Sequence, residues 1–361
     1  MRAALYLAAA LATWYMAGMY RSAALMALFA AELITALVLF CLPRLLRRRA
    51  EAAFFPLAGT ARKGSPLPCR LRLVNRAPLP AGRVRGVLRM RYPRLDAPIT
   101  TRRLTWGAAA GSAGELDFSL TAPYCGLLEV ELVRVRFYDF LGLFSASRRG
   151  EGPAAIPVLP PERAARIALA TAGAAGGDAL PRPSPAGDEQ DPGQLRSYRA
   201  GDPVRRIHWN LSARSGGLWV KEHQREEAPQ VELMLNTSST RRRSAGEWSA
   251  FFEVLSALVL GLLRAGAEVR LTWLEAGRED FSQADLSEAS DLTALLPRLY
   301  GADFSDTNEA FRVRSNRRLL ELGDRLLELD LDLIWRHSGV RRFQFSPAAL
   351  DEALEEEVFT L

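Results

Sequence analysis

Residues 195–227 read LRSYRAGDPVRRIHWNLSARSGGLWVKEHQREE, and this stretch is the densest run of chemically distinctive residues in the chain. It holds two of the three histidines, two of the seven tryptophans and a Gly-Asp-Pro turn. Side chains of these types could carry out a reaction or fix a local structure. The spacing of the residues, and the patterns on either side of the stretch, distinguish these two interpretations.

The spacing predicts a capped helix. Asp202 can accept hydrogen bonds from the free N–H groups of a helix start, and Pro203 suits the first helical position. Apolar residues and His208 then recur at helical spacing, so the pattern predicts a helix over 203–214. Ser215-Gly216-Gly217 ends it, as glycine often does.

The residue spacing supports a catalytic role for this stretch less well than a structural one. His208 lies beside the apolar face of the predicted helix, where a histidine is more often a hydrogen-bonded core residue than a catalyst. A metal-dependent hydrolase would use Asp202, His208 and His223, but no spacing rule joins these histidines to a metal, and no nucleophile has an adjacent base. Arg206 and Arg214 can bind an anion or pair with nearby glutamates. We therefore expect no enzymatic activity and keep the hydrolase as an alternative.

Downstream of this stretch, strand and helix patterns alternate. The predicted strands are 218–223, 230–236, 267–274 and 330–336, and the predicted helices are 247–265, 289–300 and 316–329. This alternation implies right-handed crossovers and a mostly parallel sheet. Ligands of such sheets bind at the carboxyl ends of the strands, which here is the segment 236–240.

Upstream, five segments alternate apolar and polar residues with the period of half-buried strands. They are 69–74, 83–92, 99–106, 115–121 and 127–137. Turn residues separate them, so the pattern predicts a β-sandwich-like antiparallel domain. Its arginine-rich faces indicate either a solvated surface or contact with anionic lipid headgroups. Residues 138–144 predict a turn in which Phe140, Leu143 and Phe144 pack.

Two uncharged or nearly uncharged runs precede the β domain, at 3–20 and 22–42. Each has roughly the 20 residues that cross a bilayer as a helix, and the short link predicts a transmembrane helical hairpin. Arg2 and the arginines within 44–49 flank the runs, and positive flanks stay in the cytoplasm. We therefore expect a multi-pass protein of the cell inner (plasma) membrane with the bulk of the chain cytoplasmic. Glu32 is a charge at mid-membrane, with either a functional role or a helix–helix contact.

Composition sets further limits. The 361 residues carry a net charge of +6 without the pattern of a nucleic-acid-binding module, so nucleic acid is not an expected partner. Three cysteines without CxxC spacing predict neither a disulfide framework nor a zinc site. Shifts in composition divide the chain into a transmembrane helical hairpin, an antiparallel β domain, a Pro/Gly/Ala-rich linker, and a signature segment with an α/β domain. The respective boundaries are 1–50, 51–160, 161–194 and 195–361.

Several of these motifs together resemble the domain of unknown function 58 family. They are Tyr198-Arg199-Ala200-Gly201-Asp202-Pro203, Arg206-Ile207-His208-Trp209, Ser212-Ala213-Arg214 and Gly217-Leu218, with Pro123-Tyr124-Cys125-Gly126 and Asp139-Phe140-Leu141-Gly142-Leu143-Phe144 upstream. The resemblance covers nearly the whole chain. It implies a membrane-anchored protein whose α/β domain is von Willebrand factor type A-like. The signature residues that we single out for partner binding are Tyr198, Arg199, Gly201, Asp202, Arg206, His208, Trp209 and Arg214.

The resemblance also implies a cation site and a partner. Type A domains bind a divalent cation through an Asp-x-Ser-x-Ser loop, and the matching positions here are Asn236, Ser238 and Thr240. Asparagine brings no charge to offset a dication, so Mg²⁺ is a weak candidate and no other cofactor is expected. Members of the family are often encoded beside MoxR-type AAA+ ATPases, and no enzymatic activity is established for the family as a whole.

The resulting prediction is a membrane-anchored, cytoplasm-facing interaction or scaffold protein that partners a MoxR-type AAA+ ATPase in envelope-related assembly. Two alternatives stay open. One is a metal-dependent hydrolase that uses the cluster within 198–223. The other is a binder of anionic lipid or nucleic acid that works through the arginines.

Overall fold

The computed structural model describes residues 2–168, 195–198, 207, 209–221, 230–237, 243–275, 280–302, 317, 326–347 and 349–360. Two long helices come first, then a β-rich region, then a region in which strands and helices alternate. The described helices are α1 (Arg2–Tyr20), α2 (Ala23–Arg49), α3 (Trp209–Ser215), α4 (Ala245–Arg264), α5 (Ala289–Gly301) and α6 (Leu350–Glu356).

The first two helices confirm the two apolar runs of the sequence. Both α1 and α2 are long and apolar enough to cross a membrane. Only Arg21 and Ser22 separate them, and Arg21 reverses the chain with a positive φ of 44°. The helices pack against each other as a hairpin. Two N-terminal helices of this length and composition indicate a membrane protein.

Glu32 lies at the contact between these helices. The hydroxyl of Thr13 on α1 is 3.2 Å from Glu32 Oε1, and the hydroxyl of Tyr6 donates to the Glu32 carbonyl oxygen at 2.8 Å. Polar groups in an apolar surrounding need such partners. These bonds place Glu32 at the helix–helix contact.

Nine strands follow the hairpin. They are β1 (Ala50–Pro56), β2 (Ala61–Arg62), β3 (Pro66–Asn75), β4 (Ala81–Arg91), β5 (Thr100–Ala108), β6 (Ala113–Thr121), β7 (Gly126–Tyr138), β8 (Ser145–Arg149) and β9 (Ala154–Leu159). The five strands predicted from period-two alternation are confirmed as β3 to β7. One sheet has the order β1-β3-β6, and the other has the order β2-β9-β7-β4-β5 with β8 beside β7. Neighbouring strands are antiparallel except β2 and β9. Leu71 of β3 and Leu88 of β4 share one buried core.

The turn after β7 is confirmed, but one of its predicted packing residues is not. Asp139 is buried, and its carboxylate accepts hydrogen bonds from the N–H groups of Leu143 at 2.8 Å and Phe144 at 3.0 Å. Phe144 packs edge to face on Phe40 of α2, with ring centroids 5.4 Å apart. Phe140, which we expected to pack, is 60% exposed because the turn directs Asp139 inward and Phe140 outward.

The remaining strands build the C-terminal region. They are β10 (Arg166–Ala168), β11 (Leu195–Ser197), β12 (Trp219–Lys221), β13 (Gln230–Asn236), β14 (Glu268–Trp273), β15 (Ser282–Leu286), β16 (Leu326–Asp330), β17 (Ile334–His337), β18 (Val340–Gln344) and β19 (Val358–Thr360). Six of them form a sheet in the order β15-β14-β13-β16-β17-β18. The three central strands β14, β13 and β16 are parallel, so the predicted mostly parallel sheet is found only at its centre. The outer three are antiparallel to their neighbours, which the sequence did not indicate.

Helix α4 connects β13 to β14 and lies in the core of this region. Its composition would suit a membrane span, but 67% of its apolar window is buried inside the protein. The N-terminus carries a capping box: Ser244 Oγ accepts from the Glu247 N–H, and Glu247 accepts from the Ser244 N–H. Such reciprocal bonds satisfy donors that the helix leaves unpaired.

The sequence pattern gave the wrong structure to the segment before residue 330. The pattern predicts a helix over 316–329 and a strand over 330–336, but residues 326–330 are β16 and residues 334–337 are β17. Arg317 is helical, and the rest of 316–325 lies outside the described residues. Leucines at this density satisfy both a helical and an alternating pattern. Pairing with β13 and β17 decides between them, and it buries Leu327 and Leu329 on one face of the sheet.

Strand β10 falls inside the range predicted as a linker, 161–194. It pairs in parallel with β19, and the Ala165 N–H donates to the Ala257 carbonyl oxygen of α4 at 2.9 Å. Gly261 permits this close approach, since a Cβ there would lie 2.4 Å from the Ala165 carbonyl oxygen. Residues 161–168 therefore pack on the C-terminal region.

Candidate functional site

The described part of the signature forms a small frame around β12. Strand β11 pairs with β12 in antiparallel register, and Ile207 forms a bridge with Val220. Ile207 and Val220 are both buried. The Tyr198 N–H donates to the Leu218 carbonyl oxygen at 2.9 Å and closes the frame. Backbone bonds thus fix a short segment that has no long strand of its own.

This frame corrects the predicted helix over 203–214 at Ile207, and residues 203–206 and 208 lie outside the described part of the chain. Helix α3 begins at Trp209, because Ile207 is occupied in the bridge with β12 and cannot belong to the helix. Gly216 follows α3 with a positive φ of 70°, as the glycine stop predicted. Ser212 Oγ accepts the Trp219 N–H at 2.9 Å and ties α3 to β12. Hydrogen bonds to the strand outweigh the helical periodicity at the start of this segment.

The structure places three of the predicted signature residues. Trp209 is 59% exposed at the first position of α3, and Arg214 is exposed in its last turn. Tyr198 is half-buried beside β12. The other predicted residues lie outside the described part of the chain: Arg199, Gly201, Asp202, Arg206, His208, His223, Ser238 and Thr240.

A polar cluster occupies the carboxyl ends of the central strands. Asn236 ends β13, and its amide nitrogen donates to Glu328 Oε1 of β16 at 3.0 Å. Arg336 of β17 is 3.4 Å from Glu328 and 2.8 Å from Asp330. Asp330 Oδ1 also accepts the backbone N–H of Ile334 at 2.9 Å. We call Asn236, Glu328, Asp330 and Arg336 the strand-end cluster.

The strand-end cluster bears on the predicted magnesium ligands. The Arg336 guanidinium supplies the positive charge next to the two carboxylates, and Asn236 turns its N–H group toward Glu328. Within the described residues, no group of three or more His, Cys, Asp or Glu side chains is placed to hold a metal ion. The described donors therefore fit a guanidinium better than Mg²⁺.

Sequence reasoning missed three members of this cluster. The helix predicted over 316–329 includes Glu328, and the strand predicted over 330–336 includes Asp330. The sequence pattern therefore does not indicate that these two side chains lie on one strand. The signal was present, because Leu327, Glu328, Leu329 and Asp330 alternate with the period of a strand.

A second polar network joins the β-rich region to α4. The Cys125 N–H donates to Ser249 Oγ at 3.0 Å, and the Ser249 hydroxyl is 3.0 Å from Glu253 Oε1. Lys63 Nζ donates to the same carboxylate oxygen at 2.6 Å. We call Lys63, Cys125, Ser249 and Glu253 the seam network. It connects residues 63 and 125 of the β-rich region to the helix that carries the C-terminal core.

Burial controls the chemistry beside the seam network. It raises the pKa of the Cys125 thiol to about 12, so this thiol is not a nucleophile at neutral pH. Burial also raises the pKa of Tyr300, whose hydroxyl donates to the Val158 carbonyl oxygen at 2.9 Å.

Gly126 has a φ of +134°, a conformation that favours glycine. The motif 123–126 therefore serves docking of the two regions.

The chain was compared with curated proteins and with solved structures. The chain matches no curated protein. Among solved structures, it is similar to the bacterial hydrophobin BslA at 15% identity, over 32% of this chain and 96% of that one, with a TM-score of 0.19. It is also similar to the sporulation control protein Spo0M from Bacillus subtilis at 15% identity, over 30% of this chain and 49% of that one, with a TM-score of 0.19. Scores this low support no argument about fold or function.

The family comparison is more informative. Residues 194–280 match the model described as "Protein of unknown function DUF58". The matched segment contains the signature frame, Asn236 and all of α4. Residues 194–280 are therefore similar to the DUF58 family of proteins of unknown function.

Proposed function

We propose that this chain is a membrane-anchored, cytoplasm-facing interaction protein that binds a MoxR-type AAA+ ATPase in envelope-related assembly. The exposed side chain of Trp209 is the observation that carries the proposal. Tryptophan is costly to leave in water and is enriched among the residues that dominate binding energy at interfaces. An exposed tryptophan on a fixed frame is what a partner-binding surface requires.

The frame limits the entropy that binding would cost. Trp209 starts α3, and α3 is tied to β12 through the bond between Ser212 and Trp219. A helix whose backbone is already tied in place has less conformational freedom to lose when a partner binds it. Exposed Arg214, in the last turn of the same helix, adds a positive charge that can steer an acidic surface toward the frame.

The proposed architecture is supported by the arrangement of the strands. The two sheets of β1 to β9 share a core, which supports a β-sandwich. The parallel strands β14, β13 and β16 with the crossover helix α4 support a type A-like domain. In such domains the carboxyl ends of the strands form a binding edge. Here the strand-end cluster occupies that edge.

The cytoplasmic orientation is proposed from charge. Arg2 precedes α1, and Arg47, Arg48 and Arg49 end α2, whereas only Arg21 lies at the opposite end of the hairpin. Basic residues near the ends of membrane helices stay on the cytoplasmic side. The β-rich and C-terminal regions then lie in the cytoplasm of a cell whose inner membrane holds the hairpin, where an AAA+ ATPase has ATP.

Affinity capture tests the proposed partner. The full-length protein, solubilised from its native membrane, should recover a MoxR-type AAA+ ATPase that mass spectrometry identifies. Trp209→Ala should weaken binding of the purified ATPase by about 30-fold, the equivalent of about 2 kcal/mol for an interface hot spot. Val340→Ala is the control, because Val340 is 60% exposed and lies on a different element, β18.

Results of two kinds, on binding and on catalysis, would contradict the proposal. One is repeated capture without an AAA+ ATPase, or full binding by the Trp209→Ala protein. The other is catalytic turnover that His208→Ala abolishes while the thermal melt stays unchanged, because this would favour the hydrolase alternative.

A further inference from the structure

The turn after β7 brings apolar side chains and arginines to one end of the helical hairpin. The guanidinium of Arg2, at the start of α1, donates to the Leu141 carbonyl oxygen at 3.4 Å. Phe144 packs on Phe40, and Arg44 lies one turn further along α2 with its guanidinium carbon 3.4 Å from the Phe40 ring centroid. The turn therefore lies level with the ends of the two apolar runs.

Arginines converge on this turn from three elements. A Cβ on Gly142 would lie 3.3 Å from a terminal nitrogen of Arg2 and 3.8 Å from one of Arg83, so both guanidinium groups approach the same point. Arg83 and Arg85 of β4 lie over the Tyr138 ring, with guanidinium carbons 5.3 Å and 5.5 Å from its centroid. Like charges gathered in this way repel each other unless an anion neutralises them.

The protein supplies no such anion in the part of the chain that the structure describes. Arg2, Arg44, Arg83 and Arg85 make no ion pair with a described carboxylate. The nearest acidic residue in the turn, Asp139, is buried and directs both carboxylate oxygens to backbone N–H groups of the turn itself. The positive charge therefore faces outward.

The apolar residues of the turn indicate what the anion is attached to. Phe140 is 60% exposed and Leu141 is 48% exposed, and both lie beside the end of the hairpin. In water these two side chains would be unfavourably placed. Beside the membrane boundary they would reach acyl chains, while the arginines stay at the level of the headgroups.

We infer that Arg2, Arg44, Arg83, Arg85 and the turn 139–144 form a collar that binds the phosphate headgroup of an anionic phospholipid and seats the β-rich region on the membrane. Arginine suits this role because its planar guanidinium binds phosphate oxygens in a bidentate manner. The inference depends on α1 and α2 crossing the bilayer. It does not depend on the AAA+ ATPase partner.

Lipid preference tests the headgroup site. Full-length protein is reconstituted in nanodiscs that contain phosphatidylcholine and phosphatidylglycerol, and the lipids that stay bound are counted by native mass spectrometry. Arg83→Ala with Arg85→Ala should lower the preference for phosphatidylglycerol by about ten-fold. Arg47→Ala with Arg48→Ala is the matched control, since it removes the same charge from exposed positions on the last turn of α2. Equal losses in the two variants would overturn the collar in favour of unspecific attraction by basic residues.

A depth measurement tests the turn without removing any arginine. In a Cys41→Ser background, a nitroxide is attached at Phe140→Cys or at Val340→Cys, two positions that are both 60% exposed. We expect the label at 140 to be accessible to oxygen in the bilayer and shielded from a water-soluble nickel complex, and the label at 340 to show the reverse. Equal exposure of both labels to the nickel complex would overturn the inference.

Discussion

Removing the hydroxyl of Ser249 should loosen the β-rich region from α4. Ser249 Oγ accepts the Cys125 N–H at 3.0 Å and is itself 3.0 Å from Glu253 Oε1. Ser249→Ala leaves the Cys125 N–H without this acceptor. Glu253 keeps its ion pair with Lys63 at 2.6 Å, so the substitution removes one of the two links that the seam network makes between the regions and leaves the other, the charge pair, intact.

The size of the effect follows from burial. Cys125 is fully buried and Ser249 is 1% exposed, so water cannot replace the lost partner without opening the seam. A buried donor without an acceptor costs about 1–3 kcal/mol, and we take about 2 kcal/mol for one N–H group. For a chain of this size, such a loss lowers the melting midpoint by about 3 °C.

The assay is a thermal melt of the full-length protein in detergent. Ser256→Ala is the matched control, because Ser256 is also on α4, is 5% exposed, and makes no side-chain hydrogen bond within the described residues. We expect a change of less than about 1 °C for the control, since Ser256→Ala leaves no described donor or acceptor without a partner and large losses of stability need such a mechanism. Equal midpoints for the two variants would refute the role assigned to the seam network.

Two further predictions concern charge. Arg336→Ala leaves Glu328 and Asp330, whose side chains are 18% and 12% exposed, without their cation. The substitution should lower the free energy of unfolding by about 2 kcal/mol, as measured by a thermal melt. Millimolar Mg²⁺ should stabilise this variant more than the wild type. Burial raises the pKa of Cys125 from 9.0 to about 12, so its contribution to stability is complete below pH 9 and is lost as the pH rises toward 12. The melting midpoint of the wild type should therefore fall more between about pH 8 and about pH 10.5 than that of Cys125→Ala, and equal falls would contradict the assignment.

The β-rich region was predictable because its information is local. Each of the strands β3 to β7 alternates apolar and polar residues, and turn residues separate them. Each strand can therefore be predicted from about ten consecutive residues. The two membrane-type helices are predictable for the same reason. A run of apolar residues long enough to cross a bilayer needs no information from the rest of the chain.

Other elements depend on partners that are distant in sequence. Ile207 follows the helical period, yet its bridge to Val220 holds it outside α3. The leucines of 326–330 satisfy a helical and a strand pattern alike, and pairing with β13, about 90 residues earlier, makes them a strand. Local periodicity cannot carry that information.

The candidate site shows the same division. Asn236 was placed correctly at the end of β13, because the end of a predicted strand is a local feature. Arg336 was not found, since its relation to Asn236 and Glu328 exists only once β13, β16 and β17 are side by side. Long-range contacts of this kind decide whether an asparagine at a strand end meets a metal or a guanidinium.

The two upstream landmarks of the family resemblance lie where regions of the chain meet. Residues 123–126 contribute the N–H of Cys125 to the seam, and Gly126 provides the positive φ beside it. Residues 139–144 contact the helical hairpin through Phe144 and Leu141. Neither landmark needs a reactive group in this role, because each fixes the orientation of one region on the next. The polar and glycine residues of both motifs thus have a structural use, because the seam depends on the bond from the Cys125 N–H to Ser249 and the turn depends on the buried Asp139 carboxylate.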